Sequence, residues 1–160
     1  MAGEGAPQLA DVAAAGITVG IVHGQWHDRI AGGMLESARR TLAAAGATVT
    51  EHPVPGAFEL PVVSQAVLEA GADAVVALGV IIRGGTPHFE YVSAAATQGL
   101  TDVALRTGKP VGFGVLTLDD EQQGIDRAGF ADSKEDKGRE ASEAALLAAL
   151  ALRDIQQPSS

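Results

Sequence analysis

Nine successive apolar residues, Ala74–Ile82, leave few structural options. The run is rich in β-branched side chains, has no polar face and is too short for a membrane span, which needs about 20 residues. It reads as a strand covered on both faces, which is the position of a central strand in a parallel sheet. The flanking segments repeat the theme. Residues 17–22 and 110–117 are further short apolar runs marked by Gly or Pro, and residues 47–52 read as another strand, with Pro53 directly after it. Between them the apolar period changes to that of a helix. Ile30, Met34, Leu35, Ala38 and Leu42 share one helical face, and Gly46 is placed to close that helix. Residues 57–69 read as a second helix with Pro61 in its first turn. Thr86 and Pro87 read as an N-cap and first helical residue, followed by a helix that stops at Gly108. Two more helices are expected over 119–128 and 134–155, and Pro53 and Pro55 are expected to end the second strand.

The order β-α-β-α-β-α-β-α-α predicts an α/β three-layer sandwich around a mainly parallel four-stranded sheet. With 160 residues the chain has room for one domain, 1–160, with an N-terminal arm over 1–15 and a frayed tail over 156–160. Ligands of such sheets sit beyond the carboxyl ends of the strands, and each distinctive residue cluster falls in one of those loops.

Composition removes several classes of function. The net charge is −9, so broad nucleic-acid binding is not expected. There is no cysteine, which excludes disulfides, thiolate catalysis and Cys-ligated metal. The opening MAGEGAP has no basic segment followed by an apolar one, so no signal peptide is expected. No membrane association is expected, and a cytoplasmic location is. P-loop, dinucleotide-fingerprint and nucleophile-elbow motifs are missing. His23 and His27 are four apart but straddle a strand–helix junction, so no metal site is expected.

The loop after the third strand, GVIIRGGTPHFEYV (79–92), carries the clearest chemistry. Gly84, Gly85 and Thr86 lead into a helix N-terminus, a combination that can cradle phosphate in backbone N–H groups. The same spacing also describes an ordinary glycine-rich turn. His88 falls in the first helical turn beside it. An exposed helix-end histidine is the ordinary explanation; a general acid or base is the functional one. Trp26 after the first strand is either packing or a stacking platform. Phe113 lies between Gly112 and Gly114 in the fourth strand, a pattern that suggests close approach of a ligand or another chain. Glu59 is either a dipole-favoured acid in a first helical turn or an acceptor for hydroxyls. Arg127 and Lys137 are solvated cations unless both converge on one anion.

Together the segments QWH (25–27), PGAFE (55–59), ALGVIIRG (77–84), TPHFEYV (86–92), GFGVLT (112–117), EQ (121–122), RAG (127–129) and DKG (136–138) resemble the 6,7-dimethyl-8-ribityllumazine synthase family, in order and spacing, from about Ile17 to Arg153. The resemblance implies a flavodoxin-like fold, with the N-terminal segment adding to a neighbouring subunit's sheet. It implies a transferase of riboflavin biosynthesis that condenses 5-amino-6-ribitylaminouracil with 3,4-dihydroxy-2-butanone 4-phosphate and releases phosphate and water. No cofactor or metal is implied. By resemblance Trp26 stacks on the pyrimidine, and Phe113 lines the pocket from the adjacent subunit. Ala57, Phe58 and Glu59 hold the ribityl chain, and Val80, Ile81 and Ile82 border the ring, with backbone contacts from Val80 and Ile81. Gly84, Gly85, Thr86, Arg127 and Lys137 take the phosphate, and His88 transfers protons.

Three positions depart from the family pattern. Gly85 stands where Glu or Gln is common, Trp26 where Phe is common and His27 where Asn is common. The family assembles as pentamers or as 60-subunit shells of pentamers. Residues 130–136 look longer than the linker of shell-forming members, which favours a free homopentamer with active sites at subunit interfaces. Two other classes share these features: a non-catalytic flavin or lumazine binder, and a compartment-forming protein. Turnover of both substrates separates the first, and a large inactive particle would mark the second.

Overall fold

The computed structural model describes residues 12–157. Its centre is a four-stranded sheet made of β1 (Thr18–Gly24), β2 (Thr48–Val54), β3 (Ala74–Ile82) and β4 (Val111–Leu118), in the order β2-β1-β3-β4 with every neighbouring pair parallel. The apolar run at 74–82 is, as its composition requires, an inner strand, and only its last residue, Ile82, is partly exposed. Successive side chains of a strand point to opposite faces. Val76, Leu78 and Val80 therefore join Val19 and Ile21 in one core, while Val75, Ala77 and Ile81 join Val22 in another.

The first core is covered by helix α1 (Asp28–Ala45) and helix α5 (Lys137–Gln156), through Met34, Ala38, Leu42, Ala145 and Leu146. The second is covered by α2 (Leu60–Glu69) and α3 (His88–Thr107), through Leu60, Leu68, Ala96, Leu100 and Val103. These are the three layers of the expected α/β sandwich. Gly46 closes α1 in the left-handed conformation, with φ 82°. The α1–α5 crossing is close: a Cβ on Gly138 would lie 2.3 Å from the Met34 carbonyl oxygen. Asp136 caps α5 by accepting from the Arg139 N–H at 3.0 Å, and it also accepts the Ser37 hydroxyl at 2.5 Å. One carboxylate thus ties the start of α5 to α1.

Several boundaries differ from expectation. The stretch expected as one helix over 57–69 is a 3₁₀ turn at Ala57–Glu59 followed by α2. Pro61 has no N–H to give the Ala57 carbonyl, so Leu60 donates to that carbonyl instead and the first turn tightens. β2 runs on through Pro53, which pairs with His23. β2 is an edge strand, where a missing N–H is tolerated. α3 starts one residue later than expected, with Pro87 as its cap and His88 as its first residue. The helix expected over 119–128 is the short α4 (Glu121–Ile125), because the chain then folds back and bridges Ala128 to Asp136.

Ala14 is buried and donates its N–H to the Ala45 carbonyl at 2.8 Å. The chain from there to β1 therefore docks on its own core. The expected pairing of an N-terminal arm with a neighbour's sheet falls mainly on residues 1–11, outside those described. So do residues 158–160 of the expected tail; Gln156 is the last residue of α5. Among the described residues no helix is long and apolar enough to cross a membrane.

Candidate active site

Strand order reverses direction between β1 and β3, and this is where a parallel sheet opens a crevice. The β1–β3 pairing ends at His23 and Leu78, whereas β3 stays paired with β4 up to Ile82. Residues 79–82 therefore face the crevice with a main-chain edge that β1 does not cover. Val80 and Ile81 are buried, their side chains belonging to the two opposite cores. What they can offer a ligand is backbone.

Two loops wall the crevice. In the β1–α1 loop, Gln25 is anchored: its N–H donates to the Pro55 carbonyl at 3.2 Å and its amide to the Val54 carbonyl at 3.3 Å. Trp26 then stands out, 67% exposed. Its indole lies against the β2–α2 loop, where a Cβ on Gly56 would be 3.0 Å from the Trp26 Cδ1. The Glu59 Oε1 accepts the Gly56 N–H at 2.9 Å, so Glu59 closes this turn while its other oxygen stays available. Ala57 is buried in the α2/α3-facing core, and Phe58 is exposed.

At the end of β3 the chain passes through Gly84, Gly85 and Thr86, all exposed. A Cβ on either glycine would meet nothing within 4 Å. The Thr86 hydroxyl is 3.4 Å from the His88 N–H, a long cap. His88 is exposed and its ring has no hydrogen-bond partner among the described residues. Trp26, Gly56, Ala57 and Glu59 thus converge on the crevice that β3 borders, and the Gly84–Gly85 loop with His88 extends β3 at the same end of the sheet.

The other expected site residues lie elsewhere in the chain. Phe113 pairs in register with Ala77, five residues before the end of β3. That places it about 16–17 Å back from the end of β3, on the outer edge strand and 47% exposed. Arg127 and Lys137 are brought together, but around Glu135: Arg127 Nε is 3.3 Å and Lys137 Nζ 3.4 Å from its two oxygens. Lys137 also faces Glu140 at 3.3 Å. Arg127 also donates to the Gln123 carbonyl at 2.8 Å, so both cations are held by groups of the β4–α5 segment.

The structure adds a residue that spacing alone left without a role. Arg83 lies over the Phe89 ring at 4.3 Å and pairs with Glu90 at 2.5 Å and Asp119 at 3.1 Å. The guanidinium, held by hydrogen bonds to Glu90 and Asp119, keeps its proton more tightly than usual, and Glu90 is pushed below the usual carboxylate range by the same bond. Arg83 braces the β3–α3 loop against the β4–α4 loop. Its only sequence signal is the acid one turn into the following helix.

A family model described as 6,7-dimethyl-8-ribityllumazine synthase matches residues 16–153. A protein of that name from Leifsonia xyli subsp. xyli is 67% identical over 157 residues, covering 98% of this chain and 99% of the relative. One from Clavibacter sepedonicus is 65% identical over 158 residues, with the same shares of each chain. A more distant one from Streptomyces coelicolor is 50% identical over 159 residues, covering 99% of both.

Proposed function

The chain belongs to the 6,7-dimethyl-8-ribityllumazine synthase family, and from that membership we propose how its crevice works. The enzyme is a transferase of riboflavin biosynthesis. It condenses 5-amino-6-ribitylaminouracil with 3,4-dihydroxy-2-butanone 4-phosphate, releasing phosphate and water. The observation that carries the assignment of the site is the convergence of Trp26, Glu59 and an uncovered β3 edge on one crevice. A flat heteroaromatic ring needs a stacking face and in-plane hydrogen-bond partners. Trp26 supplies the face, and the main chain at Val80 and Ile81 supplies the partners. Ile82 borders the ring, and Ala57, Phe58 and Glu59 receive the ribityl chain. Glu59 has a free oxygen for hydroxyls because only Oε1 is engaged with Gly56.

Gly84, Gly85 and Thr86 hold the phosphate of the second substrate with backbone N–H groups at the start of α3. His88, at the first helical residue beside them, moves the protons that imine formation and phosphate loss require. Holding both substrates in one crevice supplies much of the remaining acceleration.

Phe113, Arg127 and Lys137 act in trans. Phe113 lies on β4, with β3 between it and its own chain's crevice, and its partly exposed ring on the sheet edge is available to a second copy. In a homopentamer it lines the neighbour's pyrimidine pocket, and Arg127 with Lys137 completes the neighbour's phosphate site. The enzyme is cytoplasmic in this reading and uses no cofactor.

The test is a steady-state assay with both substrates on chelator-treated protein, following lumazine absorbance. Product formation is expected. Tight lumazine binding without product would overturn the catalytic assignment.

A further inference from the structure

Among the described residues one non-glycine residue has a positive φ, His27, at φ 58° and ψ 60°. L-residues adopt this left-handed conformation against a steric penalty from Cβ, and where they do so the surroundings impose it. The surroundings of His27 show what is imposed. On one side Gln25 is fixed to the Val54 and Pro55 carbonyls. On the other, α1 begins at Asp28, and the His27 carbonyl already accepts the Ala31 N–H at 2.9 Å. Only Trp26 and His27 remain to turn the chain from strand into helix.

The direction of that turn sets where the indole goes. It lies so close to Gly56 that a side chain there would sit 3.0 Å from Cδ1 and 3.3 Å from Nε1. The imidazole is a tilted neighbour of the indole, so the contributions of backbone and ring must be separated by substitution. The two ring centroids are 6.3 Å apart and the planes are inclined at 48°, and the His27 side chain makes no capping hydrogen bond.

We propose that His27 is a positioning residue whose left-handed backbone, and not its imidazole, holds the Trp26 indole over the Gly56–Glu59 turn. The effect on turnover rests on the function proposed above; the effect on the indole does not. A residue that resists positive φ must shift part of the turn onto Trp26, which swings the ring away from Gly56. Glycine and asparagine take the left-handed region readily, whereas β-branched residues do so at a genuine steric cost.

The experiment compares H27G, H27N, H27A and H27V. Trp26 is the sole tryptophan, so the emission of the ligand-free protein reports one ring. H27G and H27N are expected to match the parent in emission, in both KM values and in kcat. H27V is expected to shift the emission and to raise KM for the pyrimidine substrate about tenfold, the scale of a lost base–aromatic stack, with kcat within about twofold. H27A falls between, and it carries the test if H27V does not fold. A parent-like emission and KM in both H27V and H27A would overturn the proposal. So would equal impairment in H27N and H27G, which would show that the imidazole itself acts. If the parent turns over neither substrate, the synthase reading fails, yet the emission series still decides where the indole is held.

Discussion

His88 is exposed at the mouth of α3, and among the described residues no hydrogen bond aligns its ring. The H88A enzyme is expected to lose about 10²-fold or more in kcat, the usual worth of one positioned acid or base. It should keep measurable turnover, because the crevice and the phosphate loop survive the change. An unchanged kcat would remove His88 from the chemistry. Glu59 is different, since it serves both fold and ligand. E59Q keeps an oxygen for the Gly56 N–H, so its melting temperature should stay near that of the parent while KM for the ribityl substrate rises; E59A should lose on both measures. The residue types of the proposed site were legible in the sequence. The tryptophan, the double glycine and the helix-start histidine each suggest a chemistry by type and position alone. The backbone of His27 was not legible, because nothing in QWH announces which residue carries the turn. Nor was the brace made by Arg83, which depends on Asp119, thirty-six positions away.

Elements were read with similar unevenness, for physical reasons. Strands and long helices declare themselves by period, and their order predicted the sandwich correctly. Short segments without a period did not: α4 is five residues long, and the fold-back after it is held by the Ala128–Asp136 bridge. The closeness of α1 and α5 was equally hidden. G138A places a methyl group against the Met34 carbonyl oxygen, and such overpacking should lower stability by about 1–3 kcal/mol, measured by urea denaturation. The contact between β1, β2 and α1 carries a pH dependence. Burial, with help from Arg39 and His52, pushes His23 below its ordinary value of 6.5, while Glu51 opposes the shift. The folded state therefore binds this proton less readily than the unfolded chain does. The contribution is complete above pH 6.5 and is lost as pH falls toward the lowered value. Melting temperature should decline over that interval, and the decline should be shallower in H23Q. Equal slopes in the two proteins would assign the effect elsewhere. Glu51, held down chiefly by its bond to Arg39, adds a separate loss at lower pH.

For the whole molecule the decisive fact is that β3 separates Phe113 from its own crevice, visible only once the strand order and register are known. If Phe113 serves a neighbour, W26A and F113A are each impaired yet complement one another. Co-assembled in equal amounts, about a quarter of their sites pair an intact Trp26 with an intact Phe113, as expected for a cyclic head-to-tail interface. Recovery to that level in a mixed preparation, with none when the separate proteins are merely combined without exchange, is the expected result; no recovery would place Phe113 outside the neighbouring site. Sedimentation of the parent should give a pentamer. The uncovered edge of β3 has a consequence for inhibitor design. Every residue except proline carries the same main-chain groups, so no ordinary substitution at Val80 or Ile81 erases them, and proline there would break the ladder to Leu116 and Thr117. A compound keyed to that edge faces groups that no ordinary codon change removes, whereas one that leans on the indole meets a side chain that a single codon can replace, at a cost to the enzyme's own pyrimidine binding.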